Sequence, residues 1–422
     1  MTDSATRRLG FVLFIFLALF AFSSTFSIAL AQSTLGVSLV LFVIIAVSSG
    51  YNPVLPQIKW FYIAAAAYVA WMIIVSAAGP TPSESLSMIR EEWLFLAIPV
   101  GIYVMQDERR CNQLMVTLAV GMTLVTMFAI YQYIDMSIAK AAVEPGVFVG
   151  PVRVRGNFSH VLTFGNYSAV AALLLLGYGF KVERGLSARS RWIILLGGAA
   201  GAVSSVLTFS RGPMLALFAV LVLLLFFLKK RQLLVVVPLF ALLVAYAVFF
   251  SESGRSRFTA DVERDTGDWK GSRLYIWDHS LTIIKANPLM GIAPGNFQKE
   301  YAKLIPEGLH EHFYFRHAHS DPINFAVNAG IPGLLLYLGV WLAVMMYLWR
   351  GFRRAAVGSR ARAMCLAALL ASLVFWLASL TESAFADEEV RQMLMFVWAF
   401  GLSGWLLRGS ETKSSDRSFE TV

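Results

Sequence analysis

Apolar and polar positions along this chain come in long blocks rather than in the short alternations of a soluble domain. Apolar runs fall at roughly 11–31, 34–50, 60–78, 91–105, 112–134, 161–180, 191–209, 213–228, 232–250, 333–350, 361–380 and 391–407. Each is long enough, or nearly so, to cross ~30 Å of hydrocarbon at about 1.5 Å per residue. The second, fourth and eighth are the short ones. The pattern predicts an all-α polytopic membrane protein with about twelve transmembrane helices, because only self-satisfied helices or closed barrels cross a bilayer.

One segment breaks the pattern. Residues 251–333 form the single long polar stretch, and four of the six histidines lie there between His310 and His319. The expected organisation is therefore nine membrane helices in 1–250, a loop or cap in 251–332, three more helices in 333–408 and a polar tail, expected to be disordered, in 409–422. Composition agrees: 58% of residues are apolar, 14% are charged, and mean hydropathy is +0.66. A soluble domain carries about 25% charged residues. The two cysteines, Cys111 and Cys365, lie outside the long segment and support neither a disulfide framework nor a thiolate metal site.

Charge fixes orientation. With a cytoplasmic N-terminus, twenty of the 35 Lys and Arg residues fall on inner segments and six on short outer connectors. That asymmetry puts both termini inside and the long loop outside. The loop itself holds nine basic and ten acidic residues, so the formal +9 of the chain is a topogenic signal rather than a nucleic-acid footprint. Arg7-Arg8, an apolar run and Ala29-Leu30-Ala31 imitate a cleavable leader. The run exceeds a typical leader core, which favours an uncleaved first helix.

Candidate chemistry gathers on the outer side. Arg153 and Arg155 lie in Val152-Arg-Val-Arg-Gly-Asn-Phe158, Arg211 in Thr208-Phe-Ser-Arg-Gly-Pro213, and Arg273 in the long loop. An arginine at a membrane edge can simply snorkel. Outward-facing arginines run against the positive-inside bias, however, so something should compensate them. A guanidinium fork suits phosphate oxygens, and the abundant phosphates at an outer membrane face belong to lipids. A polyprenyl diphosphate requires this arrangement.

The histidines admit two readings. His310/His312 and His317/His319 are His-x-His pairs that can hold zinc, although no nearby Cys or carboxylate pattern completes a ligand set. Alternatively, His319 precedes Ser320-Asp321-Pro322, a helix start with Asp321 as N-cap and Pro322 at N1. The helix would run to Ala329 and stop at Gly330-Ile-Pro-Gly333, with Asp321, Asn324 and Asn328 on one face. His319 at a positive helix end favours a neutral imidazole, as a general base requires. Arg316 and His317 are supporting candidates beside it. Helical stretches at 273–286 and 296–305 around the turn-rich Gly291–Phe297 imply an ordered cap. Trp277, Phe297, Phe313, Tyr314 and Phe315 would pack it or stack on sugars.

Four motifs in order carry a resemblance: Arg155-Gly-Asn-Phe-Ser-His; Leu207-Thr-Phe-Ser-Arg-Gly212; Ser272-Arg-Leu-Tyr-Ile-Trp277 followed by Asn-Pro-Leu-Met-Gly291; and His317-Ala-His-Ser320 leading to Asn328-Ala-Gly-Ile-Pro-Gly333. The set resembles the O-antigen ligase family within the O-antigen polymerase/ligase superfamily. The resemblance implies a GT-C-type inner-membrane glycosyltransferase with no cofactor and no required metal. It would move glycan from undecaprenyl diphosphate to a sugar hydroxyl of lipid A–core at the periplasmic face, with inversion. His319 looks like the family's catalytic histidine, and Arg211 and Arg273 like its diphosphate-contacting arginines, with Arg155 and Arg153 beside them. Where the family often has Asn after that histidine, this chain has Ser320. A polymerase or a protein O-oligosaccharyltransferase shares the same donor chemistry. A lipid-linked sugar transporter would instead show internal repeats and midplane charges.

Overall fold

The computed structural model describes residues 3–142, 152–183, 185–246, 272–306 and 315–417. The start of the long loop (251–271), the His310/His312 pair, Phe313, Tyr314 and Arg184 lie outside the described residues. Every regular element among those described is helical. They are α1 (Asp3–Ser23), α2 (Ile28–Ser49), α3 (Lys59–Ala78), α4 (Pro82–Met88), α5 (Ala97–Met105), α6 (Glu108–Ala141), α7 (Val161–Lys181) and α8 (Ala188–Leu207). There follow α9 (Arg211–Leu225), α10 (Lys230–Ala245), α11 (Arg273–Ala286), α12 (Phe297–Ala302), α13 (Asp321–Arg354), α14 (Arg360–Ser379) and α15 (Glu388–Arg417).

Nine of these, α1–α3, α6–α8 and α13–α15, are long and apolar enough to cross a membrane, which makes the chain a polytopic membrane protein. The remaining three apolar runs hold shorter helices. A 3₁₀ stretch, Arg90–Leu96, precedes the nine-residue α5. Helix α9 has 15 residues, and α10 has 16 with Pro238 inside it.

The first break falls earlier than hydropathy predicts, at 24–27 instead of 32–33. Serine hydroxyls explain it: Ser27 caps the Leu30 N–H, and Ser24 Oγ hydrogen-bonds Tyr167 Oη at 2.7 Å. Helix also continues through the polar tail to Arg417, because extending an existing helix avoids a new nucleation step.

Helices α7 and α15 are the centre, each 89% buried, whereas α1–α3 are a third buried or less and form one flank. Small residues let the central helices approach closely. A Cβ on Gly177 would stand 2.9 Å from Ala367 Cα, and one on Gly101 2.6 Å from Ala399 Cβ.

Among the described residues of the predicted cap, α11 coincides with the first expected helix, and α12 occupies only Phe297–Ala302 of the second, expected over 296–305. The cap has its own apolar core of Ile276, Ile283, Ile292, Phe297, Tyr301, Ile305, Ala318 and Val327. This cap seats on a kink in α13. Gly330 takes φ +69°, and the helix resumes directly after it rather than stopping. The carbonyls freed by the kink are all used: Ile292 N–H donates to Val327 O (2.9 Å), Ala293 N–H to Asn328 O (3.0 Å) and Trp71 Nε1–H to Ala329 O (2.9 Å).

Candidate active site

Three chain segments meet at one end of the bundle: the 152–160 stretch before α7, the 208–212 connector between α8 and α9, and the 380–387 connector between α14 and α15. The cap brings two more, 272–273 and 315–321. Arg153 staples the first two together, donating from Nε to Thr208 O (3.0 Å) and from Nη2 to Ser210 Oγ (2.9 Å). Beyond it, Gly212 packs against Thr381 so closely that a Cβ would lie 2.8 Å from its Oγ1. Arg211, half-buried at the start of α9, is thereby carried to the neighbour of Glu382.

Glu382 is the centre. Its Oε2 is 3.3 Å from His319 Nδ1, and its Oε1 forms an ion pair with Arg273 Nη2. The Glu382 side chain is 7% exposed, His319 24% and Arg273 29%, so the carboxylate lies beneath the two groups that reach outward. Burial alone would push the Glu382 carboxyl up. The hydrogen bond from His319 and the Arg273 guanidinium outweigh burial and hold it below its ordinary value. A carboxylate only accepts hydrogen bonds. In the neutral imidazole Nδ1 therefore carries the proton, and Nε2 is left with a lone pair. The second arm of Arg273, Nη1, is buried without a hydrogen-bond partner among the described residues.

The backbone at the site is strained. His319 takes φ +52° and Phe209, in the 208–212 connector, φ +47°; Ala293 is the one other non-glycine residue with positive φ among those described. Two contacts hold the His319 loop in place. Trp277 Nε1–H donates to Ala318 O (3.0 Å), and the His319 N–H donates to His317 Nδ1 (3.3 Å). His317 is pushed down to about 4, first by burial and then by His319 beside it. It is a neutral acceptor that shapes the loop.

The remaining sequence candidates separate. Arg316 is exposed, and Arg155 reaches Ser159 O at 3.4 Å on the wall of a neighbouring cleft of about 640 Å³. Asp321 is not the N-cap. Ser320 holds that position with extended backbone, Asp321 is the first helical residue, and Pro322 follows at the second. The shift has a cause: the Asp321 carboxylate is drawn sideways to the Phe385 N–H, at 3.0 and 3.2 Å. Asn324 and Asn328 each keep a buried Oδ1 without a hydrogen-bond partner among the described residues. Among the described residues no group of three or more His, Cys, Asp or Glu side chains could hold a metal ion.

Sequence reasoning missed Glu382 and Asp387, and it quoted His160 only as the end of a motif, with no role. His160 opens α7 by accepting the Leu162 N–H on its own Nδ1 (3.2 Å). Crowding by its surroundings, then Arg153 and His319, hold it below its ordinary value against the pull of Glu382. Asp387 Oδ2 accepts from Thr163 Oγ1 at 2.9 Å. A signal existed: the connector reads Thr381-Glu-Ser-Ala-Phe-Ala-Asp-Glu-Glu389, the acidic outer segment that uncompensated arginines call for.

No curated protein matches the chain. The family model described as O-Antigen ligase matches residues 193–338, from within α8 to within α13. That stretch contains Arg211, Arg273 and His319, and leaves Glu382, Arg153 and His160 outside. Over those residues the chain is similar to that family, and the match supports O-antigen ligase- or polymerase-type activity in general.

Proposed function

We propose that this chain is a metal-independent, inverting glycosyltransferase of GT-C architecture. In this reading it moves O-antigen glycan from undecaprenyl diphosphate to a sugar hydroxyl of lipid A–core. The chain crosses the inner membrane twelve times, with both termini cytoplasmic and the site periplasmic. One observation carries the reading: Glu382 holds His319 by Nδ1 and Arg273 by Nη2, so a base and a cation for the leaving group share one buried anchor.

The chemistry follows from that pair. His319 Nε2 takes the proton of the acceptor hydroxyl as its oxygen bonds to the anomeric carbon. The bond from that carbon to the diphosphate oxygen breaks on the opposite face, and the diphosphate departs with the electron pair. Glu382 stabilises the imidazolium that forms, while Arg211 and the spare arm of Arg273 meet the charge developing on the leaving group. Diphosphate is a good leaving group, so no general acid is assigned. Arg153 acts as a brace for the Arg211 connector. Arg155, beside the cleft, lines space for the saccharide of a substrate.

Transfer by purified protein from a lipid-linked donor to lipid A–core tests this. The expected outcome for a folded His319→Ala variant is loss of transfer by about 10²–10⁴-fold, with wild-type activity surviving chelation. Normal transfer by His319→Ala removes the mechanism. Lipopolysaccharide banding of a deletion strain tests the acceptor: core without polymer supports the ligase, and core plus one repeat supports a polymerase.

A further inference from the structure

Glu382 belongs to a connector whose one regular feature is a single 3₁₀ turn, Ala384–Ala386. A base held by such a segment needs the segment itself held. Three residues away, Phe385 is gripped on both of its backbone groups. Its N–H donates to the two carboxylate oxygens of Asp321, at 3.0 and 3.2 Å, and its carbonyl accepts from Arg391 Nε at 2.6 Å. The Arg391 guanidinium also lies over the Phe385 ring, 4.3 Å from its centroid.

Arg391 is itself fixed. Its Nη1 is 3.2 Å from Glu92 Oε1, which also accepts from Tyr68 Oη at 3.1 Å. Asp321, Arg391 and Glu92 are all buried, and the proposed chemistry uses none of them. A buried ion pair is weak evidence for stability, since apolar residues of similar volume often serve as well. Sequence position gives this one a purpose. Asp321 follows His319 by two residues, and Phe385 follows Glu382 by three, so the Asp321–Phe385 bond ties together the segments bearing each half of the pair.

We propose that Asp321 and Arg391 are positioning residues that grip the Phe385 backbone and thereby hold Glu382 against His319. This rests on the His319–Glu382 reading above. It is a statement about geometry: neither residue touches substrate, and their loss should change turnover rather than binding.

The test is a kinetic cycle on the purified full-length protein, with folding followed by thermal unfolding in detergent. Asp321→Ala should lower kcat by about 10²-fold, the scale of an ångström misplacement, with the KM for donor and acceptor each within about twofold. Asp321→Asn keeps an oxygen for the Phe385 N–H and should recover to within about tenfold of wild type. In a Glu382→Ala background, adding Asp321→Ala should cost less than about threefold further, because Asp321 acts through Glu382. A merely structural role would give independent, multiplying losses, and that result overturns the inference, as does an unchanged kcat in Asp321→Ala. If Asp321→Ala fails to fold, Arg391→Lys serves in the same cycle: it keeps a cation beside Glu92 and removes the Nε bond to Phe385 O. An active His319→Ala overturns the mechanism itself. An inactive His319→Ala beside a wild-type-like Asp321→Ala overturns the positioning role alone.

Discussion

The two ends of the helix bundle both carry buried or half-buried cations, and they use them differently. At the end bearing residues 105–112, 181–191 and 355–362, the cations answer helix C-termini. Arg360 donates to Met105 O, the last residue of α5 (2.6 Å), and Arg362 to Ala355 O just past α13 (3.2 Å). Arg191 donates to Val182 O after α7 (2.5 Å), and Lys181 to Phe227 O after α9 (2.9 Å). Orphan carbonyls and the negative helix end account for each of these. At the opposite end Arg153 repeats that pattern, on Thr208 O after α8. Arg273 instead meets a buried carboxylate that also holds a histidine, and one of its arms has no hydrogen-bond partner among the described residues. The lesson is that a carboxylate shared with a histidine, not the arginine itself, sets Arg273 apart from the structural cations.

The sharpest way to break this comparison is to neutralise the shared carboxylate. Glu382→Gln keeps the shape but removes the anion that fixes the His319 tautomer, and kcat should fall about 10²–10³-fold in the transfer assay. The matching change at the other end, Arg360→Met, should leave kcat at the wild-type value. It strips the Met105 carbonyl of its donor, and unfolding should detect a loss of about 1–3 kcal/mol. Equal effects of the two changes on kcat would erase the distinction.

A pair of glycines tests the backbone in the same way. Gly330, at φ +69°, has Leu289 O and Pro288 O at 2.2 and 2.8 Å from where a Cβ would stand. Backbone cannot yield there, so Gly330→Ala should cost roughly 2–4 kcal/mol and unseat the cap from α13. Gly358, at φ +78° on the other end, would meet Glu183 Oε2 at 2.6 Å. That is the tip of a flexible side chain, so Gly358→Ala should cost only about 1–2 kcal/mol from its backbone conformation. Thermal unfolding in detergent ranks the two.

How much of this was legible follows from which physics each feature uses. Apolar runs report burial in lipid, so the long helices could be read directly. Arg211, Arg273 and His319 stood out because polar groups beside apolar runs need a reason. Glu382 did not, because its meaning lies in a contact with residues 63 and 109 positions away, and no local pattern encodes that distance. The N-cap at Asp321 failed for the same reason. Local capping preference favours aspartate, but a tertiary partner, the Phe385 N–H, outbid the helix end and moved the cap to Ser320.

The smallest expected effect concerns two acids in one connector that burial treats oppositely. Glu382 is compensated and held below its ordinary value, whereas Asp387, five residues on, is pushed up to about 7 by burial with only Thr163 in opposition before the nearby Glu389 and Glu382. The signs follow. Glu382 contributes stability above the ordinary carboxylate range, and loses it as pH falls through its depressed value. Asp387 binds its proton more tightly folded than unfolded, so its contribution is complete below about 4 and is lost as pH rises towards and past about 7. His317, pushed down to about 4, works against Asp387 over part of that range: it favours the unfolded state as pH falls below the ordinary histidine value. The wild-type curve alone therefore does not isolate Asp387; the difference from Asp387→Asn does. Asn keeps an oxygen for the Thr163 hydroxyl and cannot ionise. The Tm of the variant minus that of wild type should grow by a few degrees between about pH 4 and pH 7 and then level off above it. A difference that stays flat across that window would mean that Asp387 ionises freely in the folded protein, and that the two acids of the connector are alike after all.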